Sequence, residues 1–516
     1  DVPATGPAQW IAQHAPKGAK IGYDAWLHGI EWAEAAEKVL ARKGIELVPV
    51  DGNPVDAIWH DRPEPSAAPA VPYGEKLAGR SSADKRAEIA DWLKEEGYDA
   101  TIVTALDSVA WLLNIRGADI DKTPVALAYV IARADGTADL FIAKDKVSPD
   151  LVQHLGNAVT VRDRADFEPA LAELAGKTVA VDPERAVAGI FHALNDAGAK
   201  PARATDPAIL PKAIKTAAEQ QGHRDAQARD GAALVRFLRW VTEEAPKGDV
   251  DELSAAAKLR EFRGFSPDLK DASFDTISAA AGHAALPHYK VDEDSNIPIP
   301  PSSIYLCDSG GQYLGDESAG TTDITRTVWI GPGEPSAEMI DRNTRVLKGY
   351  IQLDTARFPV GTNGGQLDTL ARMHLWQAGV DYGHGTGHGV GSFLAVHEGP
   401  QRISKSGGAF AGTGTPLAAG MILSNEPGYY KPGEYGIRIE NLILTVPVEI
   451  EGAEGDWLGF ETLTFVPLDR RLIDADMLTA GEREWVDSYH ARVRALLAPQ
   501  LDGDDLAWLE AETAPL

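Results

Sequence analysis

The stretch Tyr305-Leu-Cys-Asp-Ser-Gly-Gly-Gln-Tyr-Leu314, followed by Thr321-Thr-Asp-Ile-Thr-Arg-Thr327, decides the fold of the C-terminal part of this chain. Apolar and β-branched residues flank a glycine-bounded centre, a pattern that predicts two strands joined by a turn. The hairpin presents two carboxylates, Asp308 and Asp323. A carboxylate buried in a strand costs free energy unless it is paired or coordinated. The segment therefore predicts a cation-binding site.

Two later segments add imidazole and carboxylate groups to the two aspartates. They are His384-Gly-Thr-Gly-His-Gly-Val-Gly391 with Val396-His-Glu-Gly-Pro400, and Asn425-Glu-Pro-Gly428 with Gly436-Ile-Arg-Ile-Glu440. Four carboxylates and one imidazole are mostly hard oxygen ligands, which suit Mn²⁺ or a similar divalent ion. Because one ion cannot use so many carboxylates, we predict two metals about 3.5–4 Å apart that hold a nucleophilic hydroxide between them.

Composition limits the classes of function. The net charge of −28 argues against a nucleic-acid partner, which needs a basic surface, and against an anionic membrane. Cys307 is the only cysteine, so no internal disulfide forms, and its apolar surroundings favour a packed small residue over a nucleophile. No apolar run is long enough to span a membrane. The first residues contain no signal-like stretch, so the cytoplasm is the expected location.

The 516 residues predict about three domains, in an α/β (α+β) fold. Strand and helix patterns alternate over 1–66, and a proline-rich linker follows at Arg62–Pro72. The range 67–212 contains a predicted helix at Ser82–Glu96 and a hairpin around Asp135-Gly136. A long helix opens the range 213–516, where the His, Asp and Glu cluster lies, so we place the catalytic domain there.

These motifs resemble aminopeptidase P, the Xaa-Pro aminopeptidase branch of the pita-bread metallopeptidases. The resemblance rests on five separated blocks in the family's order, and it extends to three further segments. They are Trp59-His-Asp-Arg-Pro63, Trp111-Leu-Leu-Asn-Ile-Arg-Gly117 and Leu463-Thr-Phe-Val-Pro467. It implies the long form of the enzyme, in which two creatinase-like domains precede the pita-bread domain. Here the first of them looks truncated.

The resemblance also implies a role for each site residue. The metal ligands would be Asp308, Asp323, His388, Glu426 and Glu440, with Asp323 and Glu440 bridging two ions. The metals would be Mn²⁺ by expectation, with Zn²⁺ or Co²⁺ as alternatives. Two histidines, His384 and His397, match substrate-side positions of the family, and His288 matches a further active-site histidine. Arg438 matches a family arginine that orients the site. From the residues alone, Arg438 could equally be a surface strand arginine.

The chain departs from the family pattern in one place. Asp308 and Asp323 lie further apart in sequence than is usual, and the extra residues fall within Gly315–Gly320. A lengthened hairpin tip leaves the flanking strands in register if the turn absorbs the addition. We expect Asp316 and Glu317 to lie near the rim of the site, and the Thr-Thr-Asp-Ile-Thr context to identify Asp323 as the ligand.

The implied activity is metal-dependent release of the N-terminal residue from peptides with proline in second position. The main alternative is a prolidase, which cleaves Xaa-Pro dipeptides and uses the same ligands. Creatinase shares the fold without metal, and a non-catalytic peptide-binding protein would lose ligands; the complete ligand set argues against both. The resemblance further implies a homodimer that takes peptides as its partners.

Overall fold

The computed structural model describes residues 5–405 and 412–516. The chain forms two compact units: unit 1 comprises Asp1–Glu75 and Arg80–Ile209, and unit 2 comprises Lys76–Gly79 and Leu210–Leu516. Unit 1 does not separate the predicted ranges 1–66 and 67–212, so the three-domain division stays a prediction. The predicted mixed α/β fold class is confirmed by the elements of both units.

Unit 1 and its junctions with unit 2 contain nine helices and ten strands among the described residues. The helices are α1 (Pro7–His14), α2 (Ile30–Ala41), α3 (Glu75–Ala78), α4 (Ser82–Glu96), α5 (Leu106–Leu113), α6 (Pro149–Leu155), α7 (Phe167–Leu171), α8 (Ala188–Asp196) and α9 (Ile209–Ala213). The strands are β1 (Lys20–Tyr23), β2 (Glu46–Pro49), β3 (Val71–Pro72), β4 (Ala100–Val103), β5 (Ile115–Arg116), β6 (Ala128–Arg133), β7 (Ala138–Ile142), β8 (Val159–Asp163), β9 (Thr178–Val181) and β10 (Lys200–Arg203).

A six-stranded mixed sheet forms the centre of unit 1, in the order β10-β9-β4-β6-β7-β8. The predicted hairpin is confirmed: β6 and β7 are antiparallel, and Gly136 adopts a φ of 83° in the turn between them. Strands β1 and β2 form a separate parallel pair. Residues 62–70 belong to no helix or strand, as the proline-rich composition predicts.

Unit 2 continues with six helices and fourteen strands among its described residues. The helices are α10 (Ala217–Glu244), α11 (Glu252–Arg263), α12 (Ala337–Asp354), α13 (Gly364–Trp376), α14 (Ala480–Leu497) and α15 (Gly503–Glu512). The strands are β11 (Leu269–Ala272), β12 (Ile277–Ala280), β13 (Ser303–Ser309), β14 (Gly311–Leu314), β15 (Ala319–Thr321), β16 (Ile324–Ile330), β17 (Phe358–Pro359), β18 (Gly387–Gly389), β19 (Glu398–Ile403), β20 (Ile422–Asn425), β21 (Gly428–Lys431), β22 (Tyr435–Arg438), β23 (Asn441–Val448) and β24 (Trp457–Thr462).

The predicted hairpin of unit 2 is a long one built from two successive strand pairs. Ser309 pairs with Ile324 in the β13–β16 pair, and Gln312 pairs with Thr321 in the β14–β15 pair. Both pairs follow one continuous register, and the turn at 315–318 closes the tip. The strands that carry the aspartates are therefore in register, and that the additional residues lie in the hairpin tip stays a prediction.

Sheets and helices of unit 2 surround a shared core. A six-stranded sheet runs in the order β17-β24-β23-β20-β18-β19, and β21 and β22 form a hairpin. Helices α12 and α14 contribute buried side chains such as Tyr350 and Tyr489 to the core. Helix α10 begins with a capping box of Thr216 and Glu219, which satisfies amide groups at its N-terminus. Among the described residues, no helix is both long enough and apolar enough to cross a membrane.

Candidate metal centre

All nine predicted site residues line one cavity of unit 2, which has a volume of about 340 Å³. Strand ends place the five predicted ligands. Asp308 lies on β13 and His388 on β18, while the other three directly precede or follow strands: Asp323, Glu426 and Glu440. The apolar side chains of Phe274 and Ile277 line another part of the same cavity.

Three of the predicted ligands lie close enough together to hold a cation, and Glu426 lies beside them. One ligand atom from each of Asp323, His388 and Glu440 lies within 4.8 Å of the other two. His388 Nε2 lies 3.4 Å from Asp323 Oδ2 and 3.6 Å from Glu426 Oε1. The Oδ1 atom of Asp308 is buried and accepts no hydrogen bond from the residues that the structure describes. Because a buried carboxylate oxygen needs a partner, the donor set fits divalent metal ions.

Burial and mutual repulsion raise the pKa values of three of the carboxylates when no cation compensates them. Burial raises the pKa of Asp323 to about 6, and the nearby charge of Asp308 adds to the effect. Burial likewise raises the pKa of Glu426 to about 7, and the pKa of Glu440 lies well above its usual range. A bound divalent ion would reverse this balance and favour the ionised carboxylates.

Arg438 orients two of the carboxylates. Its Nη2 donates to Asp308 Oδ2 at 2.6 Å, and its Nε donates to Thr325 Oγ1 at 3.0 Å. The Thr325 hydroxyl donates in turn to Glu440 Oε2 at 2.6 Å. Arg438 is 2% exposed, so the alternative of a surface strand arginine is wrong.

His384 has both ring nitrogens engaged with the protein. Its Nδ1 lies 2.8 Å from the carbonyl oxygen of Gly385, so this nitrogen carries the proton. Its Nε2 lies 2.8 Å from the hydroxyl of Tyr430, which also accepts a hydrogen bond from Arg438. Burial lowers the pKa of His384 to about 3. The neutral ring therefore accepts a hydrogen bond from the Tyr430 hydroxyl at Nε2 and fixes the position of that hydroxyl.

His397 and His288 present their rings to the space beside the predicted ligands. The rings of His397 and His388 meet edge to face, with centroids 4.2 Å apart. Confinement in the cavity lowers the pKa of His397, and the charges of His388 and Arg402 add to this. Both His397 and His288 are exposed, which leaves them accessible to a peptide in the cavity.

Several residues outside the predicted set support the site. Thr325 and Tyr430 bond to site residues as described, and both occur inside the quoted motifs. Arg326 is 1% exposed and donates to the backbone carbonyl oxygens of Thr325 and Glu440. It thereby ties β16 to the segment that carries Glu440. Arg326 stands inside the quoted motif Thr321–Thr327, and a basic residue among β-branched neighbours was the available signal in the sequence.

Cys307, which was predicted to be a packed small residue, lies outside the cavity lining, and so do two further histidines, His223 and His374. Cys307 is 1% exposed, and burial raises the pKa of its thiol to about 12. His223 is fully buried, and His374 bonds to Gln352. These surroundings agree with packing roles.

The prediction that Asp316 and Glu317 lie at the rim of the site is wrong. Neither residue lines the cavity, because β14 and β15 extend the hairpin beyond Asp308 and Asp323. Glu317 instead forms an exposed ion pair with Lys76.

Comparison with known proteins agrees with this site. The family model of metallopeptidase family M24 matches residues 221–447, the creatinase/prolidase N-terminal domain matches 61–219, and the C-terminal region of peptidase M24 matches 456–516. Aminopeptidase P1 of Arabidopsis thaliana is 36% identical over 98% of this chain and 85% of its own. A probable Xaa-Pro aminopeptidase P of Neosartorya fischeri is 39% identical over 98% and 78%.

Solved structures extend the comparison to three dimensions. The X-prolyl aminopeptidase of Caenorhabditis elegans, described as a cytosolic enzyme with a di-nuclear active site, superposes with a TM-score of 0.90. It is 35% identical, and the match covers 99% of this chain and 83% of that one. The Xaa-Pro dipeptidase of Bacillus anthracis shares the fold, with a TM-score of 0.60 and 24% identity over 75% and 99% of the two chains. The chain thus belongs to the aminopeptidase P group of metallopeptidase family M24.

Proposed function

We propose that this protein removes the N-terminal residue from peptides that carry proline in second position, and that it needs two divalent metal ions to do so. The observation that carries the proposal is the convergence of four carboxylates and His388 in one cavity that also contains three further histidines. The relatives named aminopeptidase P span nearly the whole chain, and the similar solved enzyme has a di-nuclear site.

The five predicted ligands would hold the ions, with Asp323 and Glu440 shared between them. Mn²⁺ is the metal that we propose, because the donors are mostly carboxylate oxygens. When bound, two such ions supply an activated water and polarise the scissile carbonyl group.

The side chains around the ligands have separate tasks. Arg438 and Thr325 fix Asp308 and Glu440 in orientation through the hydrogen bonds described above. His397 is neutral because its pKa is lowered, so one ring nitrogen can donate a hydrogen bond to the peptide carbonyl oxygen as negative charge develops there. His384, which lines the cavity, holds the Tyr430 hydroxyl by a hydrogen bond. His288 lines the cavity and would contact the N-terminal residue of the peptide.

The finer assignments rest on resemblance. We propose a homodimer, a cytoplasmic location, and no nucleic-acid or membrane partner. The domain ranges that we propose are 1–66, 67–212 and 213–516. The description of the Caenorhabditis elegans enzyme as cytosolic supports the location, and the creatinase/prolidase N-terminal match at residues 61–219 supports a second domain of that type.

The test is hydrolysis by metal-free protein with and without added Mn²⁺. Three substrates are compared: an Xaa-Pro-Xaa tripeptide, an Xaa-Pro dipeptide and an Xaa-Ala-Xaa control. Manganese-dependent release of the first residue from the proline tripeptide supports the proposal. Cleavage confined to the dipeptide would make the protein a prolidase, and cleavage of none would refute a peptidase function.

A matched pair of variants links the activity to the site. Asp323→Asn and Asp316→Asn make the same chemical change in the same hairpin, and only Asp323 lines the cavity. We expect loss of activity in Asp323→Asn and wild-type activity in Asp316→Asn. Equal activities in the two variants would contradict the ligand assignment.

A further inference from the structure

Two buried lysines hold one buried glutamate immediately behind the cavity. Glu398 Oε2 lies 2.8 Å from Lys212 Nζ, and Glu398 Oε1 accepts a short hydrogen bond from Lys215 Nζ. Lys215 Nζ also donates to the backbone carbonyl oxygen of Lys212 at 3.0 Å. The side chain of Lys212 is 2% exposed, that of Lys215 is 1% exposed and that of Glu398 is 0% exposed. None of them lines the cavity, and the proposed function does not use them.

Such a cluster needs a reason other than stability. Removing three charged groups from water costs about as much free energy as their attraction returns, and well-packed apolar residues would serve stability equally well. Buried ionic groups do, however, select one arrangement of the chain over its alternatives. We call Lys212, Glu398 and Lys215 the clamp, and we expect it to select one arrangement of the backbone around Glu398.

Glu398 lies at one end of an irregular stretch of β19. Strand β19 pairs with β18 irregularly: His388 lies opposite Arg402, but the next residue, Gly389, lies opposite Glu398. The residues between these two positions of β19 bulge out of the ladder, and a bulge re-aims the side chains beside it. Anchoring Glu398 on the two lysines fixes where the bulge ends.

His397 is the residue whose direction depends on this anchor. His397 lies in the bend that directly precedes β19, so its backbone is joined to that of the anchored Glu398. Glu398 points into the protein towards the lysines, while His397 lines the cavity with its ring 4.2 Å from that of His388. We propose that the clamp formed by Lys212, Glu398 and Lys215 is a positioning element that aims His397 at the scissile carbonyl of the peptide. This inference rests on the proposed function of the site.

The first test is a double-mutant cycle with Glu398→Gln, which removes the charge and keeps the shape. We expect kcat for the Xaa-Pro-Xaa tripeptide to fall about 10²-fold, as for a misplaced catalytic group, with KM and manganese content close to wild type. Combined with His397→Ala, the Glu398→Gln change should cost nothing more, because the effects of residues that act as a unit are not additive. Additive losses would overturn the proposal.

Glu482→Gln is the matched control, since Glu482 faces Lys348 in another partly buried pair outside the cavity lining. It should keep wild-type kcat. If Glu398→Gln does not fold, Lys215→Gln, which leaves Lys212 as the partner, is measured in the same way with the same expected result.

A second readout does not depend on turnover. The rate at which diethyl pyrocarbonate modifies His397 in metal-free protein, followed by peptide mass mapping, reports the position and exposure of that ring. We expect the rate to change severalfold in Glu398→Gln and not in Glu482→Gln. If wild-type protein lacks Xaa-Pro hydrolysis, the proposed function fails. The modification rate alone then tests whether the clamp positions His397. An unchanged rate would refute it.

Discussion

Thr325→Val tests the hydrogen-bonded support of the proposed ligands with little change in side-chain volume. The Thr325 hydroxyl donates to Glu440 Oε2 at 2.6 Å and accepts from Arg438 Nε at 3.0 Å. Valine has a similar shape but offers neither function. The carboxylate of Glu440 then loses one partner, and the buried guanidinium of Arg438 loses one acceptor.

The expected size of the effect follows from these contacts. A hydrogen bond to a charged group contributes about 1.5–3 kcal/mol. Loss of a partner that orients a metal ligand lowers metal affinity about 10- to 100-fold, which corresponds to about 1.4–2.7 kcal/mol. The two ranges agree, so Thr325→Val should weaken Mn²⁺ binding by about one to two orders of magnitude.

Isothermal titration of metal-free protein with Mn²⁺ measures this directly. Thr325→Ser keeps the hydroxyl and should bind like wild type. Thr344→Val is a control for buried hydroxyl loss, since Thr344 is fully buried in α12 and bonds to the backbone of Ile340. Wild-type affinity in Thr325→Val, with the melting temperature unchanged, would refute the role of this hydroxyl in orienting Glu440.

Three further outcomes are expected. Glu440→Ala should abolish turnover and lower the bound manganese below two ions per chain by elemental analysis; full activity would overturn its assignment as a shared ligand. Because the pKa of Asp323 is about 6 and that of Glu426 about 7 without metal, these groups gain protons as the pH falls through those values. Metal must then displace the protons, so Mn²⁺ affinity should drop as the pH is lowered below about 7, and a pH-independent affinity would contradict this. Cys307, with its pKa raised to about 12, should resist iodoacetamide in the native protein and react after unfolding in urea; rapid native labelling would contradict its burial.

Local signals account for the elements that the sequence predicted closely. Helix α4 spans Ser82–Glu96 as predicted, because Ser81 caps its first turn and Gly97 adopts a left-handed φ of 73° at its end. Over 1–66, where strand and helix patterns alternate, helix α2 begins only at Ile30. Before it, the carboxylate of Asp24 accepts a hydrogen bond from the backbone N–H of Trp26 and holds that segment in a turn. The apolar spacing alone does not indicate this turn.

The site likewise contains residues that local sequence signals predicted and residues whose contacts depend on the complete fold. The predicted ligands stand in short motifs whose residue types already limit their chemistry, and all of them line the cavity. The partners of the supporting residues could not be predicted, because they are distant in sequence. Arg326 donates to Tyr489, 163 residues later, and Lys215 bonds to Glu398, 183 residues later. Only the folded chain brings such partners together.

The continuous register of the long hairpin has a consequence for recognising related chains. Asp308 lies opposite Thr325 in the ladder, and this cross-strand neighbour stays the same however many residues the turn at 315–318 contains. A search pattern that demands a fixed interval between the two aspartates would miss this protein. A pattern that identifies each aspartate by the strand residues around it would find the protein and tolerate tips of any length.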